Sequence, residues 1–264
     1  MPNGLDKLAE GMGKAIETVP DLYDDALKPA TQESGKTLAL IPRAINAALV
    51  PLRQWIVERE YKLAETEKLL AKKLEHVGED KIVTPAAYVA VPAIQAISYS
   101  MDSEELRNLY ANLLAKAMNS DTKDQVHPSF VEVIKQMSPI DSSVFKMIME
   151  RMPNPLIDLI YKNDDGHSVT LKTNIIDIDN KITTVEHASV SIDNLIKQNL
   201  IFVPEDSHYS NERVYDKLIK SEYYLTQEQL YPPTKDGFKF TYKKRMIEKT
   251  NIGSSFYEIC VKDL

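Results

Sequence analysis

Cysteine is nearly missing from this 264-residue chain: Cys260 stands alone, so no internal disulfide can form and nothing requires an oxidising compartment. An excess of positive charge is missing too. Asp and Glu number 39 against 32 Lys and Arg, a net charge of −7, which excludes a surface that is basic all over and built to wrap nucleic acid. Neither half compensates, with 16 basic and 20 acidic residues up to Met137 and 16 and 19 beyond it. Long hydrophobic runs are absent: no stretch reaches about 18 apolar residues free of charge, the length a spanning helix needs. The opening MPNGLDKLAEGMGK lacks a basic segment followed by an apolar one, so no secretory signal is read there and a cytoplasmic chain is expected.

Catalytic and ligand-binding signatures are equally scarce. Glu33-Ser34-Gly35-Lys36-Thr37 imitates the end of a phosphate loop, but Ala30 occupies the position of the required first glycine. His76, His127, His167, His187 and His208 are scattered, and Asp121, Asp124 and His127 lack the glycine and terminal glutamate of a calcium loop. No Gly-x-Ser-x-Gly elbow exists, and Cys260 lies in a hydrophobic closing element without a nearby histidine. The sequence therefore predicts no catalytic residue, no cofactor, no metal and no enzyme activity.

What is present is helical periodicity. Leu5, Leu8, Met12, Ile16 and Val19 fall on one stripe of an amphipathic helix, weakened by Gly4, Gly11 and Gly13, which needs a surface to fold against. That surface is the protein body, a partner or a peripheral membrane contact. The run LALIPRAINAALVPL, 38–52, is apolar nearly all round and reads as a buried helix of about 22 Å, too short to cross a bilayer alone. A long helix continues through Leu63, Leu70 and Leu74, with Gly78 as its stop. Thr84 and Pro85 open another, bent at Pro92. Asp102 with Glu105 caps the strongest one, carrying Leu106, Leu109, Tyr110, Leu113, Leu114, Ala117 and Met118. Pro128 begins a helix with Phe130, Val133, Ile134 and Met137 on one face.

The second half changes character. Ser138 and Asp141 cap a helix whose Val144, Phe145, Ile148, Met149 and Met152 face a new core. A polar connecting stretch follows, with a turn at Asn163-Asp164-Asp165-Gly166 and the β-rich run SVTLKTNIIDID. A helix with Ile192, Leu195 and Ile196 then runs into a strand at 200–203, and FKFTYKKRMIEK forms a longer strand before a closing segment near Ile252 and Gly253. The fold class expected is mainly α: a helical domain, 1–137, followed by an α+β winged-helix-like domain, 138–264, with an insertion at about 205–233. On the would-be wing, Lys239, Lys243, Lys244, Arg245 and Lys249 are candidate contacts to nucleic acid or a partner, gripping phosphates without reading sequence. Edge protection of an exposed strand is the plainer account of those lysines.

Taken as longer strings, YVAVPAIQAISYSMDSEELRNLYANLLAKAMNSDTKDQVHPSFVEVIKQMSPID resembles the core of the Abi-alpha, or abortive infection alpha, family of bacterial proteins. LIPRAINAALVPLRQWIVEREYKLAETEKLL resembles its preceding segment, and SVSIDNLIKQNLI and TNIGSSFYEICV its C-terminal region. Thr250, Gly253 and Phe256 keep the frame of the closing element, while Asn251, Ser254 and Ser255 depart from it. The resemblance implies phage defence by abortive infection and carries over no catalytic residue. Three modes of action follow as expectations: binding of a protein partner or phage trigger, nucleic-acid regulation through the wing, and action on a membrane. Exposed stripes also leave homo-oligomerisation open.

Overall fold

Apolar residues spaced three and four apart build the helical part, and the computed structural model describes residues 42, 44–50, 60–97, 100 and 102–264. The stripe at Leu5, Leu8, Met12, Ile16 and Val19 lies outside the described residues. Residues 44–50 are helical and bury Ile45, Ala48 and Leu49. Helix α1 (Glu60–Lys73) turns at Leu74, where Val77 N–H bonds back to Leu74 O, so the helix ends before Gly78 rather than at it. Helix α2 (Ala87–Ile97) contains Pro92 and opens later than Thr84 and Pro85 suggest, because Ala86 O accepts the first helical bond, from Ala90 N–H. Helix α3 (Glu104–Ala117) is capped by Ser103, whose hydroxyl accepts from Leu106 N–H at 3.3 Å, one residue after the expected Asp102. Its residues 109–117 are all buried, which makes α3 the axis of the body.

Helix α4 (Ser129–Lys135) buries Phe130, Val131, Val133 and Ile134. Helix α5 (Pro139–Glu150) begins with the expected capping box, Ser138 hydroxyl accepting from Asp141 N–H (3.1 Å) and Asp141 carboxylate from Ser138 N–H (2.7 Å). Val144, Phe145 and Ile148 are fully buried, but Met152 is 66% exposed, since Arg151 leaves the helix in an extended conformation and takes Met152 off the stripe.

The chain then forms a strand that the pattern did not predict, β1 (Pro155–Lys162), followed by β2 (Ser168–Ile176) across the Asn163–Gly166 turn. Gly166 holds φ +89°, where a Cβ would be strained. Helix α6 (Val185–Lys197), capped by Thr184, leads to β3 (Ile201–Phe202). Inserted residues form a short helix α7 (Asp216–Ile219) and α8 (Glu222–Leu230) before β4 (Lys239–Met246) and β5 (Glu248–Lys249). Helix α9 (Asn251–Phe256) continues as a π turn, Tyr257–Val261. The sheets are antiparallel: one has the order β2-β1-β4, and β3 pairs with β5 in the other.

Two cores result. The main one runs without interruption from Ile45 to Cys260 and joins residues from both sides of position 137. Phe256 sits between Phe130 and Phe145, with ring centroids at 5.4 and 5.6 Å, and Asn112 Nδ2 donates to Cys260 O at 3.0 Å. The new core expected for α5 is thus part of the existing one. A second, small core of Ile157, Leu159, Ile175, Tyr215, Leu218 and Tyr224 lies between the large sheet and the inserted helices.

Candidate functional site

Strand alternation sorts the five basic candidates on β4 and β5. Phe240 and Tyr242 turn to the small core, which sends Lys239, Thr241, Lys243 and Arg245 to the opposite face. Arg245 is not free for a ligand there. Its Nη1 donates to Asp158 Oδ2 at 2.9 Å, and its remaining guanidinium N–H groups reach Pro204 O (3.2 Å) and Val203 O (3.3 Å). Asp158 is itself buried on the central strand and accepts from Asn174 N–H at 3.0 Å. Asn174 sits at φ +56° beside irregular β1–β2 pairing, and its Nδ2 donates to Asp193 on α6 at 2.6 Å. One chain of polar contacts, buried at Asp158 and Asn174 and reaching the surface at Asp193, therefore locks β1, β2, β4 and α6 together.

The other cations divide in the same way. Lys244 is paired with Glu212 at 2.5 Å, which holds the Glu212 carboxyl below its ordinary range and the Lys244 ammonium above its own. Lys249 Nζ donates to Met149 O at 2.8 Å, tying β5 to the end of α5. Lys239 makes a loose exposed pair with Asp164 at 3.7 Å. Lys243 is exposed and forms no ion pair among the described residues. Of the five, Lys239 and Lys243 alone present their charge outward without a strong partner.

Helix α6 packs Ala188, Ser191, Ile192 and Leu195 inward. Its outer side shows Glu186, His187, Asp193, Lys197 and Val190, the last 66% exposed. One lysine against two carboxylates gives this helix little attraction for a phosphate backbone. Next to its N-terminus a cleft of about 430 Å³ opens between the end of β2 and the inserted helices, lined by Asp177, Thr184, Glu186, Lys217, Ser221 and Tyr223. Asp177 is shared between Arg151 Nη1 (3.6 Å) and Lys217 Nζ (3.9 Å), and the Tyr223 hydroxyl is pushed up by burial and then by Glu186.

Reactive groups are placed for structure. The Cys260 thiol is fully buried and burial holds it far above the usual thiol range, so it is protonated at neutral pH. His127 Nδ1 accepts from Ser129 N–H at 3.2 Å, and Asp121 pairs with Lys81 at 2.6 Å, so these two residues serve the α4 cap and a surface ion pair. Among the described residues, no three His, Cys, Asp or Glu side chains gather where they could hold a metal ion, and no helix is long and apolar enough to cross a membrane. Sequence reading missed Lys162, which stands opposite Lys239 and extends the outward cations of β4 onto β1. Recognising β1 as a strand is the signal that would have found Lys162.

No curated protein and no solved structure matches the chain. The profile of one family, abortive infection alpha, matches residues 58–260, from two residues before α1 to the π turn that closes the main core. The match covers most of the chain, and the chain belongs to the abortive infection alpha family.

Proposed function

We propose that this protein defends bacteria against phage by abortive infection and that it acts by binding rather than by catalysis. The family match over residues 58–260 carries the reading, because it includes all of the small core and all of the main core except Ile45, Ala48 and Leu49. Support for a binding mode comes from surface features. Helix α6 turns Val190 outward, and Phe202 on β3 is 52% exposed. The order α6, β3, β4 and β5, with β3 and β5 paired, suits a winged-helix-like docking module in which α6 meets the partner. The alternative of a membrane-acting effector rests on the Leu5–Val19 stripe, and flotation with liposomes tests it.

The decisive experiment is phage challenge of cells expressing the full chain at low and high phage-to-cell ratio. Survival at low ratio with collapse at high ratio is the expected outcome. Lysis indistinguishable from cells lacking the protein, across a broad phage panel, overturns the reading. Val190→Asp is expected to abolish protection while leaving the melting temperature unchanged, since the side chain contributes no core contact.

A further inference from the structure

The open face of the large sheet carries a charge pattern that its own stability does not call for. Lys162 on the central strand stands directly opposite Lys239 on β4, a like-charge cross-strand pair. Lys243 follows on the same face of β4, four residues from Lys239, with Thr241 between them opposite Ile160. On the other side of β1, Ile160 faces Thr170, after which the register shifts and Lys172 stands opposite Leu159 of the small core, off this face. Lys162, Lys239 and Lys243 are all exposed. Among the described strand residues of this face there is one acid, Asp158, and that carboxylate is buried and taken by Arg245 and the Asn174 amide. Beyond it toward the turn, the nearest acid is Asp164, 3.7 Å from Lys239 and 93% exposed, a pair strongly screened by water.

Edge protection accounts for the lysines on β4, which is an edge strand, but not for one on central β1 set against another. Aromatic rings are on the reverse face, where Phe240 and Tyr242 pack against the small core, so the lysine face offers charge and threonine hydroxyls without a platform for stacking bases. The geometry points to this face as a docking surface for the phosphodiester backbone of nucleic acid, held through Lys162, Lys239 and Lys243 without base readout. The net charge of −7 makes the attraction local: a polyanion approaches this face and is repelled elsewhere. The inference rests on the reading of the protein as a binder, and it names the class of one partner.

The test uses the full chain and fluorescence anisotropy at low salt with a labelled 20-nucleotide single strand and the matching duplex. The variant Lys162→Ala, Lys239→Ala, Lys243→Ala is compared with a control removing Lys68, Lys123 and Lys181, all exposed and off this face. Both should melt as the parent does. The face variant should bind at least about tenfold more weakly, with the slope of log affinity against log salt shallower by about two to three, while the control stays near the parent. A parent chain that binds neither probe overturns the inference, as does equal weakening in both variants. Binding to vesicles of anionic lipid with no binding to either probe assigns the face to membranes and overturns it too. If nucleic-acid binding fails while phage protection persists, the docking inference falls and the defensive role stands.

Discussion

The two cores of this protein are held by different physics. The main core is aliphatic and phenylalanine-based, reaches from Ile45 to Cys260, and centres on Phe130, Phe145 and Phe256 in edge-to-face contact. The small core has six buried residues, two of them tyrosines, and fixes its geometry through hydroxyls: Tyr215 donates to Arg245 O at 2.9 Å and accepts from Tyr209 N–H at 3.0 Å. The Tyr209 hydroxyl in turn accepts from Asn154 N–H at 3.0 Å. A large apolar core gains its stability from buried area, and tolerates small shifts. Six buried residues supply little area, so the small core depends on directional bonds and is the part expected to open first.

The largest effect should come from cutting through the main core. A chain ending at Met137 loses Phe145, Ile148, Ile192, Leu195, Phe256 and Ile259 from it, and is expected to show no cooperative thermal transition and to aggregate on size exclusion. A monomeric fragment with a sharp melt would show that the helical half has a core of its own. Phe256→Ala comes next: it removes both ring contacts and a fully buried side chain, and should cost about 3–5 kcal/mol in denaturant titration.

Asp158→Ala probes the polar lock above the small core. It strands the Arg245 guanidinium, whose side chain is only 15% exposed, and the expected loss is about 3–5 kcal/mol at most, less wherever water reaches the arginine. Hydrogen exchange should speed first in β1, β2 and β4; uniform acceleration through α2 and α3 would erase the distinction between the cores. The mildest perturbation is alkali. Burial raises Tyr224 to about 12 from an ordinary value of 10.0, and raises Tyr215 and Tyr223 as well. The folded state thus binds these protons more tightly than the unfolded one. Their contribution is complete below pH 10.0 and is lost as pH rises toward about 12. Tyrosinate absorbance should therefore appear together with loss of near-ultraviolet dichroism from the sheet region. Ionisation near pH 10.0 with no structural change would mean that these hydroxyls are not sequestered.

Much of the main core was legible because its residues repeat with the helical period and its caps are local. The Ser138–Asp141 box needs three residues of context, and it formed as read. At α3 the same logic slipped by one, since Asp102 and Ser103 are both good caps and the sequence does not say which one reaches Leu106 N–H. β1 was hidden by Asp158, a residue rare in buried strands, which reads as a break in the apolar run Pro155–Lys162. What makes it tolerable is Arg245, 87 residues away, and no window of local pattern contains both. The basic strand suffered the same way. Five cations close together look equivalent in sequence, whereas Arg245 and Lys249 are held by partners far along the chain, Lys239 is paired only loosely and Lys243 forms no ion pair among the described residues. The inserted segment formed short helices around Tyr215, Leu218 and Tyr224, whose value lies in fitting the underside of a sheet that the sequence does not display.

The placement of α9 has a consequence for the order of synthesis. Phe256, Ile259 and Cys260 are made after every residue they touch, yet they complete the packing around α3, α4 and α5. Helices emerging first from the ribosome must wait with that seam open until residue 260 has cleared the exit, because contacts between segments more than 100 residues apart cannot form earlier. A chain interrupted before α9 is expected to keep that groove unfilled and to expose the apolar surfaces of α3, α4 and α5 that the closing element covers.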